Sequence, residues 1–489
     1  NYQITDKKKV THKTSPTNIG LQFLSILSAR DFGFETLSST LDATEKLLHT
    51  VNILPKWNGH PYNWYDINTL KVLEPKYVST VDSGNFFGHL ITLKNGLIEQ
   101  KNYPVLPENI LSEFKQKVSA DKHVNIDINK TYVTYGEFLK DIIELNKEIE
   151  GKKQHTADDL CAVEQLQDAA KAIISEITEF GLEEENIPTS ITLNDMAQSN
   201  QRYAVEQMQK IDTLCSIIDN MLNAVDFRPL FSKKRMLFHI GYHVPTQTLD
   251  SGCYDLLASE SMLTSFLAIA RGEIPVKHWY KLGRPLTKVE GIPTFVSWSG
   301  TMFEYLMPNL VMKEYEGSVF SETAKAAVRQ HINYGNKKNI PWGVSESQYY
   351  CFDLDSNYQY KAFGIPELRL QPLKGDPAVA APYASILALD FAADETIQNL
   401  KRLKHMGAYG QYGYYEAIDF NVPNSVTLRN YSIVRSFMAH HQGMNLVAID
   451  NFLNNGVMRR RFHSEPIIKA NEILLEEKLH TFLISIAKE

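Results

Sequence analysis

The chain has 489 residues, of which 43% are hydrophobic and 22% charged, and its net charge is −7. This length and composition are sufficient for a large buried core, as in a helical or barrel enzyme. The two basic clusters, Lys7-Lys8-Lys9 and Arg459-Arg460-Arg461, are too short to predict a nucleic-acid partner. No apolar segment approaches the ~20 residues that cross a bilayer, so we expect this chain not to be inserted in a membrane.

The sequence predicts neither a metal site nor a cofactor. It contains no phosphate loop, dinucleotide fingerprint or nucleophile elbow. Adjacent histidines on a helix point about 100° apart, so His440 and His441 cannot easily share one metal ion. The four cysteines have no metal-ligand spacing, and we interpret them as free thiols, with one disulfide as the alternative. They are Cys161, Cys215, Cys253 and Cys351.

The first part of the chain predicts an arm and two helices. Residues 1–14 are polar and basic, which is typical of an N-terminal arm. Ser15-Pro16-Thr17 is a helix-start signal, and apolar spacing predicts helices over 18–30 and 38–52. Residues 55–85 combine aromatic rings with amide and carboxylate side chains. This segment is either a sugar-binding surface or a well-packed structural loop.

The remainder predicts one helical domain over 15–489, with a helical insertion over 107–225. Residues 231–252 alternate apolar and polar side chains and predict the only β-hairpin. Too few strands are predicted for a (β/α)8 barrel. We therefore expect an all-α toroid of helical hairpins. Its later helices are predicted at 255–271, 300–313, 321–332, 381–404, 430–453 and 466–487.

Two short tripeptides are the strongest candidates for catalysis. Ser259-Glu260-Ser261 and Ser345-Glu346-Ser347 each place a glutamate among apolar and aromatic residues. A carboxylate in such surroundings must be paired, hydrogen-bonded or protonated. Enzymes that break glycosidic bonds need at least two carboxyl groups that face one cleft.

The predicted helix over 255–271 places Glu260 on its apolar face. Burial should raise the pKa of this carboxyl, which suits a general acid/base. The alternative is a structural glutamate paired with Arg271 or Arg284.

Glu346 follows the turn Pro341-Trp342-Gly343. We expect Ser345 to cap a helix that begins there, so that the helix dipole keeps Glu346 ionised, as a nucleophile requires. The alternative is that Glu346 only complements the dipole of that helix.

Three further positions could take part. Glu304 lies in an apolar helical segment and is a rival for either catalytic role. Glu416 lies in a loop rich in glycine and tyrosine and could bind sugar hydroxyls. Of His440 and His441, one is expected to face the cleft and the other to pack.

Several long segments resemble one known family. They are SPTNIGLQFLSILSARDFGF, HPYNWYDINTLKVLEPKYVSTVDSGNFFGHL, YDLLASESMLTSFLAIARGEIPVKHWYKLGRPLT, VSWSGTMFEYLMP, PWGVSESQY, YGYYEAIDF and MAHHQGMNLVAIDNFLNNGVMRRRFHSEP. Over residues 15–106 and 226–480 the chain resembles the central glucoamylase-like domain of bacterial cyclic β-1,2-glucan synthases. Endo-β-1,2-glucanases share that fold.

The resemblance implies an (α/α)6 toroid and a retaining transglycosylase that cleaves linear β-1,2-glucan and rejoins it into a ring. It puts Glu260 at the acid/base position and Glu346 at the nucleophile position. In related enzymes the proton can pass through a substrate hydroxyl. By motif position, the implied substrate contacts are Asp82, Trp298, Glu304, Trp342, Tyr414, Glu416, His440 and Gln442.

The implied partners are linear and cyclic β-1,2-glucan. In a complete synthase, this domain would follow membrane-embedded glycosyltransferase segments and precede a phosphorylase-like domain. Its implied location is the cytoplasmic side of the inner membrane. Three alternatives remain open: an inverting endo-β-1,2-glucanase, a non-catalytic β-glucan-binding module and an α-glucan hydrolase.

Overall fold

A computed structural model describes residues 1–4, 8–119, 132–151, 157–183, 187–372, 375 and 377–478. The chain divides into two compact units. The first comprises Asn1–Gln22, Leu54–Thr92 and Ala224–Glu489, and the second comprises Phe23–Ile53 and Leu93–Asn223. The predicted insertion over 107–225 falls almost entirely within the second unit.

Helices account for most of the regular structure. The described part contains α1 (Pro16–Asp31), α2 (Leu37–Ile53), α3 (Thr80–Gln100), α4 (Glu108–Ser119), α5 (Tyr135–Gly151), α6 (Ala157–Glu179), α7 (Leu193–Gln198), α8 (Arg202–Ala224), α9 (Met262–Ala270), α10 (Met302–Leu306), α11 (Val319–Lys338), α12 (Pro382–Ile386), α13 (Ala393–His405), α14 (Ala439–Leu453), α15 (Val457–His463) and α16 (Pro466–Lys469).

The first two helices confirm the predicted ones. α1 starts with Pro16 in its first turn, where a missing backbone N–H costs nothing. α2 buries one stripe of side chains that includes Leu41, Leu48 and Val51, as its apolar spacing predicted. None of the helices in the described ranges has the length and apolar character needed to cross a bilayer.

Short strands are more numerous than the sequence predicted. They are β1 (Tyr2–Ile4), β2 (Lys8–Val10), β3 (Lys13–Thr14), β4 (Lys56–Trp57), β5 (His60–Pro61), β6 (Tyr65–Asp66), β7 (Tyr77–Ser79), β8 (Phe231–Ser232), β9 (Leu237–His239), β10 (Gly241–His243), β11 (Thr248–Leu249), β12 (Cys253–Tyr254), β13 (Leu286–Val289), β14 (Ile292–Phe295), β15 (Ser347–Phe352), β16 (Tyr358–Lys361), β17 (Val379–Ala380), β18 (Tyr409–Gly410), β19 (Gly413–Tyr414), β20 (Ala417–Asp419), β21 (Ser432–Val434) and β22 (Ser436–Phe437).

Within the described residues, these strands form nine sheets of two or three strands. The prediction of a single hairpin was therefore wrong. Most of the strands have only two to four residues, too few to leave an alternating pattern that can be recognised in the sequence. The predicted hairpin at 231–252 is itself divided between two sheets, because β8 pairs with β9 whereas β10 pairs with β11 and β7.

Several predicted helix boundaries were also wrong. The helix predicted over 255–271 begins only at Met262. The helix predicted over 430–453 is preceded by β21 and β22 and begins at Ala439. The helix predicted over 466–487 is replaced by α16 and a 3-10 turn at Glu472–Glu476, and residues 479–487 lie outside the described part.

Close packing of α3 against α9 brings two candidate site segments together. A Cβ at Gly84, in the first turns of α3, would overlap the side chain and backbone of Thr264 in α9. Glycine is therefore required here for the close approach of the two helices. Asp82 lies at the start of α3 and Glu260 just before α9, so this contact positions both carboxyl groups.

Candidate active site

A cavity of about 860 Å³ lies within the first unit. This volume is typical of a binding site for a small molecule or a short oligomer. Three of the residues predicted from the sequence line it, namely Asp82, Glu260 and His440. Further lining side chains are Asn63, Trp64, Tyr254, Gln348 and Tyr360.

Glu260 lies in the turn that precedes α9 and is half-buried at the cavity wall. The helix-face setting predicted for it is therefore wrong. The pKa of its carboxyl is nevertheless raised well above the ordinary value, mainly by burial and then by the negative charges of Glu346, Asp82 and Glu304.

The arginines considered as structural partners of Glu260 bind other carboxylates. Arg271 Nε donates to Glu273 Oε1 at 2.6 Å. Arg284 donates to both carboxylate oxygens of Glu477, at 2.8 and 2.9 Å. The pKa of Glu260 is accordingly set by burial and by carboxylates.

Glu346 immediately precedes β15, so the helix start predicted at Ser345 was wrong. The Ser345 hydroxyl accepts hydrogen bonds from the Phe303 backbone N–H at 3.1 Å and from the Tyr383 hydroxyl at 2.8 Å. The Tyr383 hydroxyl also lies 2.7 Å from the Glu346 carbonyl oxygen. These contacts fix an extended backbone at this point, without a helix dipole.

The carboxyl of Glu346 is held by a tyrosine from the neighbouring strand. Tyr360 in β16 donates from its hydroxyl to Glu346 Oε2 at 3.0 Å. Burial and the charge of Glu304 raise the pKa of Glu346 to about 7, and the Tyr360 hydrogen bond opposes this rise. The predicted helix dipole is absent here, and Glu346 instead ionises near neutral pH.

Asp82 is a second predicted carboxyl that lines the cavity, besides Glu260. Its Oδ1 accepts a hydrogen bond from Thr17 Oγ1 at 2.6 Å, and its backbone N–H donates to Ser79 Oγ at 3.2 Å. Burial raises the pKa of Asp82 in spite of these hydrogen bonds. Its charge in turn favours the protonated form of Glu260.

Glu304 serves as part of a helix cap, and only 8% of it is exposed. With Thr301 it forms the capping box of α10. Its oxygens also accept hydrogen bonds from Ser297 Oγ at 2.8 Å and from the Ser299 backbone N–H at 3.1 Å. Burial raises its pKa. It holds the 297–301 loop in place and, among the described residues, is not part of the cavity lining.

Glu416 and His441 are buried side chains in contact with each other, and His440 is the neighbour of His441 on α14. Glu416 is 2% exposed, and burial raises its pKa to about 7. His441 Nδ1 lies 2.9 Å from Glu416 Oε1, and the His441 ring stacks on Tyr383 with centroids 3.6 Å apart. His440 lines the cavity, and burial holds its pKa well below the usual range. An uncharged His440 ring is therefore available to substrate.

In the described part of the chain, the cavity lining does not include Glu346 or six of the eight predicted contact residues, among them Glu304 and Glu416. Trp342 is buried, and its backbone N–H and carbonyl both bind the Asn399 side chain. The Tyr414 hydroxyl donates to the Leu400 carbonyl at 3.0 Å. Trp298 is 54% exposed in a loop, and Gln442 is half-buried on α14.

The aromatic segment at 55–85 is mainly packed against the protein, and one of its rings lines the cavity. Trp64 lines the cavity, with Lys13 Nζ 4.5 Å from its ring centroid. Trp57 instead stacks on Tyr242 at 4.2 Å, and buried Tyr65 donates to the Pro55 carbonyl. Most of the rings that we can place here therefore serve packing.

Sequence reasoning missed Tyr254, Tyr360 and Tyr383. Tyr360 reaches Glu346 because β16 pairs with β15 in a register that sets Gln348 opposite Tyr360. The alternation of polar and apolar residues in β15 and β16 was the only signal in the sequence for this contact. It did not show that the two strands pair with each other. In the described ranges there is no group of three or more histidine, cysteine, aspartate or glutamate side chains that could hold a metal ion.

The arrangement provides two carboxyl groups with separated proton affinities. The Glu346 charge raises the pKa of Glu260, whereas the Tyr360 hydroxyl favours ionised Glu346. Glu260 therefore holds its proton to a higher pH than an ordinary glutamate does, while Glu346 ionises around pH 7. Such a pair can supply a proton and a nucleophile or base, with Glu260 lining the cavity and Glu346 bound to the cavity-lining Tyr360.

Comparisons with known proteins show which proteins this chain is similar to. The family model described as "Putative glucoamylase" matches residues 253–466, which include Glu260, Glu304, Glu346, Glu416 and the two histidines. The cyclic β-(1,2)-glucan synthase NdvB of Rhizobium meliloti (strain 1021) is 36% identical over 510 aligned positions, which include 98% of this chain. The chain spans only 18% of the length of that relative.

Two solved structures share the fold. A "putative glucoamylase" of Bacteroides fragilis has a TM-score of 0.59 and 14% identity, with 97% of this chain and 88% of that chain covered. An endo-β-1,2-glucanase of Chitinophaga pinensis, solved with sophorotriose and glucose, has a TM-score of 0.58 and 13% identity, with 95% and 88% covered. The predicted resemblance is thus confirmed: residues 253–466 match the glucoamylase-like family model, and the chain is similar along nearly its whole length to part of a cyclic β-(1,2)-glucan synthase.

Proposed function

We propose that this chain is a retaining transglycosylase that cleaves linear β-1,2-glucan and rejoins it into cyclic β-1,2-glucan. The observation that carries the proposal is the pair Glu260, which lines the cavity, and Glu346, which is bound by the cavity-lining Tyr360. The pKa of Glu260 is raised well above its ordinary value, in part by the charge of Glu346, and the pKa of Glu346 is about 7. The similarity to a cyclic β-(1,2)-glucan synthase supports the substrate. Within this proposal, the fold is the (α/α)6 toroid that the resemblance implies.

In the first step, ionised Glu346 attacks the anomeric carbon. The bond from that carbon to the bridging oxygen breaks, and protonated Glu260 supplies the proton that the leaving oxygen takes up, directly or through a sugar hydroxyl. A glycosyl ester on Glu346 results. The Tyr360 hydroxyl, 3.0 Å from Glu346 Oε2, holds the nucleophile in place before attack.

In the second step, a 2-hydroxyl of the same glucan attacks the anomeric carbon of the glycosyl ester, and the bond from that carbon to the Glu346 carboxylate oxygen breaks. Glu260, now ionised, takes the proton of that hydroxyl, and Glu346 leaves as a carboxylate. Two inversions at the anomeric carbon give net retention. Exclusion of water by the rings that line the cavity, such as Trp64 and Tyr254, would favour transfer over hydrolysis.

Uncharged His440 and the carboxyl of Asp82 are the nearest candidates for contacts to sugar hydroxyls, since both line the cavity. Trp298, Glu304, Trp342, Tyr414, Glu416 and Gln442 remain predicted contacts. For Glu304 and Glu416 we favour a supporting role, because their oxygens already accept hydrogen bonds from neighbouring protein groups.

The deciding experiment is incubation with linear β-1,2-glucan, followed by mass spectrometry and a reducing-end assay. Rings are lighter than the corresponding linear chains by one water and have no reducing end. Glu346→Gln should abolish turnover and retain glucan binding, whereas Glu316→Gln, at an exposed loop position, should behave as wild type. Formation of short reducing oligosaccharides alone would contradict ring closure.

An endo-β-1,2-glucanase is the second candidate, because the Chitinophaga pinensis enzyme shares the fold. NMR of the first product distinguishes the two, since an inverting hydrolase releases the opposite anomer. Binding without any turnover would instead identify a glucan-binding module, and turnover of starch alone an α-glucan hydrolase. Placement in a longer membrane protein, on the cytoplasmic side of the inner membrane, remains a prediction.

A further inference from the structure

The first unit contains a second cavity of about 830 Å³, which we call the outer cleft. Tyr350, Phe352, Tyr358, Tyr431, Arg429 and Arg435 are among its lining residues. Among the described lining residues, Asp355 is the only carboxylate, so this cleft has no acid and nucleophile pair. Its composition is suited to binding and not to bond cleavage.

The outer cleft lies next to the catalytic cavity. Lys9 and Tyr358 line both spaces. The turn 353–357 separates them, with Asp353 lining the catalytic cavity and Asp355 lining the outer cleft. The two spaces therefore adjoin each other at this turn.

The turn is fixed by hydrogen bonds. Asp353 Oδ1 accepts from the backbone N–H groups of Asp355 at 2.9 Å and Asn357 at 2.8 Å. The buried side chain of Gln3 in β1 donates to the Ser356 carbonyl at 2.7 Å and accepts from the Tyr358 backbone N–H at 3.1 Å. The turn between the two spaces is therefore held both by its own side chains and by β1.

The chemistry of the outer cleft fits a neutral polyhydroxylated chain. The ring of Phe352 is 41% exposed and contacts Tyr350 and Tyr358 at centroid distances of 5.4 and 4.6 Å. Such rings offer an apolar face for a sugar ring and, in the tyrosines, a hydroxyl for its polar edge.

The cations of the outer cleft do not form an anion site. Lys9 Nζ donates to the Asp355 carbonyl and lies 3.4 Å from Asn357 Oδ1. Arg429 donates to the Met406 carbonyl at 2.9 Å and lies over the Tyr431 ring. Two of the three cations are thus engaged by protein groups, which favours an uncharged ligand.

We infer that the outer cleft binds a distant stretch of the same β-1,2-glucan whose reacting bond lies in the catalytic cavity. This inference rests on the proposed function. Ring closure must bring two ends of a flexible chain together, at an entropic cost that grows with the logarithm of chain length. Holding the chain at two adjacent sites raises the effective concentration of its own 2-hydroxyl and so favours cyclisation over transfer to another molecule.

The test compares long and short linear β-1,2-glucans on Phe352→Ala and Arg435→Ala. For long chains, we expect KM to rise about three- to tenfold and the ratio of cyclic to linear products to fall. For short oligomers that fill only the catalytic cavity, KM and kcat should equal those of the wild type. The matched control is Tyr280→Ala, an exposed ring outside both spaces.

Equal effects of Phe352→Ala on long and short substrates would overturn the inference. Binding is measured independently by calorimetry in the Glu346→Gln background, where adding Phe352→Ala should weaken long-chain binding alone. If the wild type turns over no β-1,2-glucan, the proposed function fails, whereas a length-dependent loss of binding would still support the outer cleft. Competition by inorganic phosphate together with unchanged glucan binding would assign the cleft to an anion and overturn the inference.

Discussion

Tyr360→Phe removes the hydroxyl that donates to Glu346 Oε2 at 3.0 Å, while the ring that lines the cavity is kept. A hydrogen bond to the ionised form of an acid lowers its pKa. The pKa of Glu346 is about 7 with this bond in place. Its loss should therefore raise the pKa further, so that the nucleophile is protonated over a wider range of pH.

The size of the change follows from the strength of the bond. Hydrogen bonds to charged groups contribute about 1.5–3 kcal/mol to stability. Because Tyr360 is partly open to solvent, we take the lower end of this range. One pH unit corresponds to about 1.4 kcal/mol, so the acidic limb of the rate profile should move upward by about one pH unit.

The assay is the pH dependence of kcat/KM on linear β-1,2-glucan, which reports ionisations of the free enzyme. Tyr349→Phe on the same hairpin is the matched control, because its ring packs against Phe363 and is not part of the cavity lining. A Tyr360→Phe profile with lower rates but an unmoved acidic limb would show that this hydroxyl does not set the ionisation of Glu346.

Three further predictions concern the same surroundings. Glu304→Gln removes a charge that raises the pKa of Glu346, so the acidic limb should move to lower pH, opposite to Tyr360→Phe; the same profiles check this, with Glu316→Gln as control. The pKa of Glu346 is higher in the folded protein than in the unfolded chain. The stability that this shift contributes is fully present below the pKa of the unfolded chain and is lost as pH rises through about 7. We therefore expect the free energy of unfolding of Glu346→Gln, minus that of the wild type, to be about 1–3 kcal/mol more favourable at pH 8 than at pH 5. Urea titrations at both pH values measure this difference, and the same value at both would refute the linkage. Gly84→Ala should cost about 1–3 kcal/mol, because its Cβ overlaps Thr264, whereas Gly272→Ala, where a Cβ meets no atom within 4 Å, should cost only the strain of its positive φ; thermal melts compare the two.

The sequence identified the helices whose apolar spacing is long and regular, such as α1 and α2. It could not identify sheets built from distant pieces. β1 (Tyr2–Ile4) pairs with β22 (Ser436–Phe437), from the opposite end of the chain, and two residues carry no periodic signal. Register between such strands depends on tertiary packing, and so does the contact of Tyr360 with Glu346.

Glu260 and Glu346 were selected because of their expected burial, which the structure supports, and because of a helix face and a helix dipole, which it does not. Apolar neighbours did indicate burial, which is the largest cause of the raised pKa of both Glu260 and Glu346. The helix face and the helix dipole were wrong, since both assumed a local element that tertiary contacts replace. The Ser345 hydroxyl binds Phe303 and Tyr383, which no local pattern could show.

Mutual repulsion between the two carboxylates also explains how one residue could serve as both acid and base. Ionised Glu346 raises the pKa of Glu260, so Glu260 holds its proton until the nucleophile reacts. In the glycosyl ester proposed here, Glu346 carries no charge, and that contribution to the pKa of Glu260 disappears. The pKa of Glu260 then falls, so its carboxyl ionises more readily, as the second step requires. The change in role thus follows from the charge of Glu346 and needs no movement of either side chain.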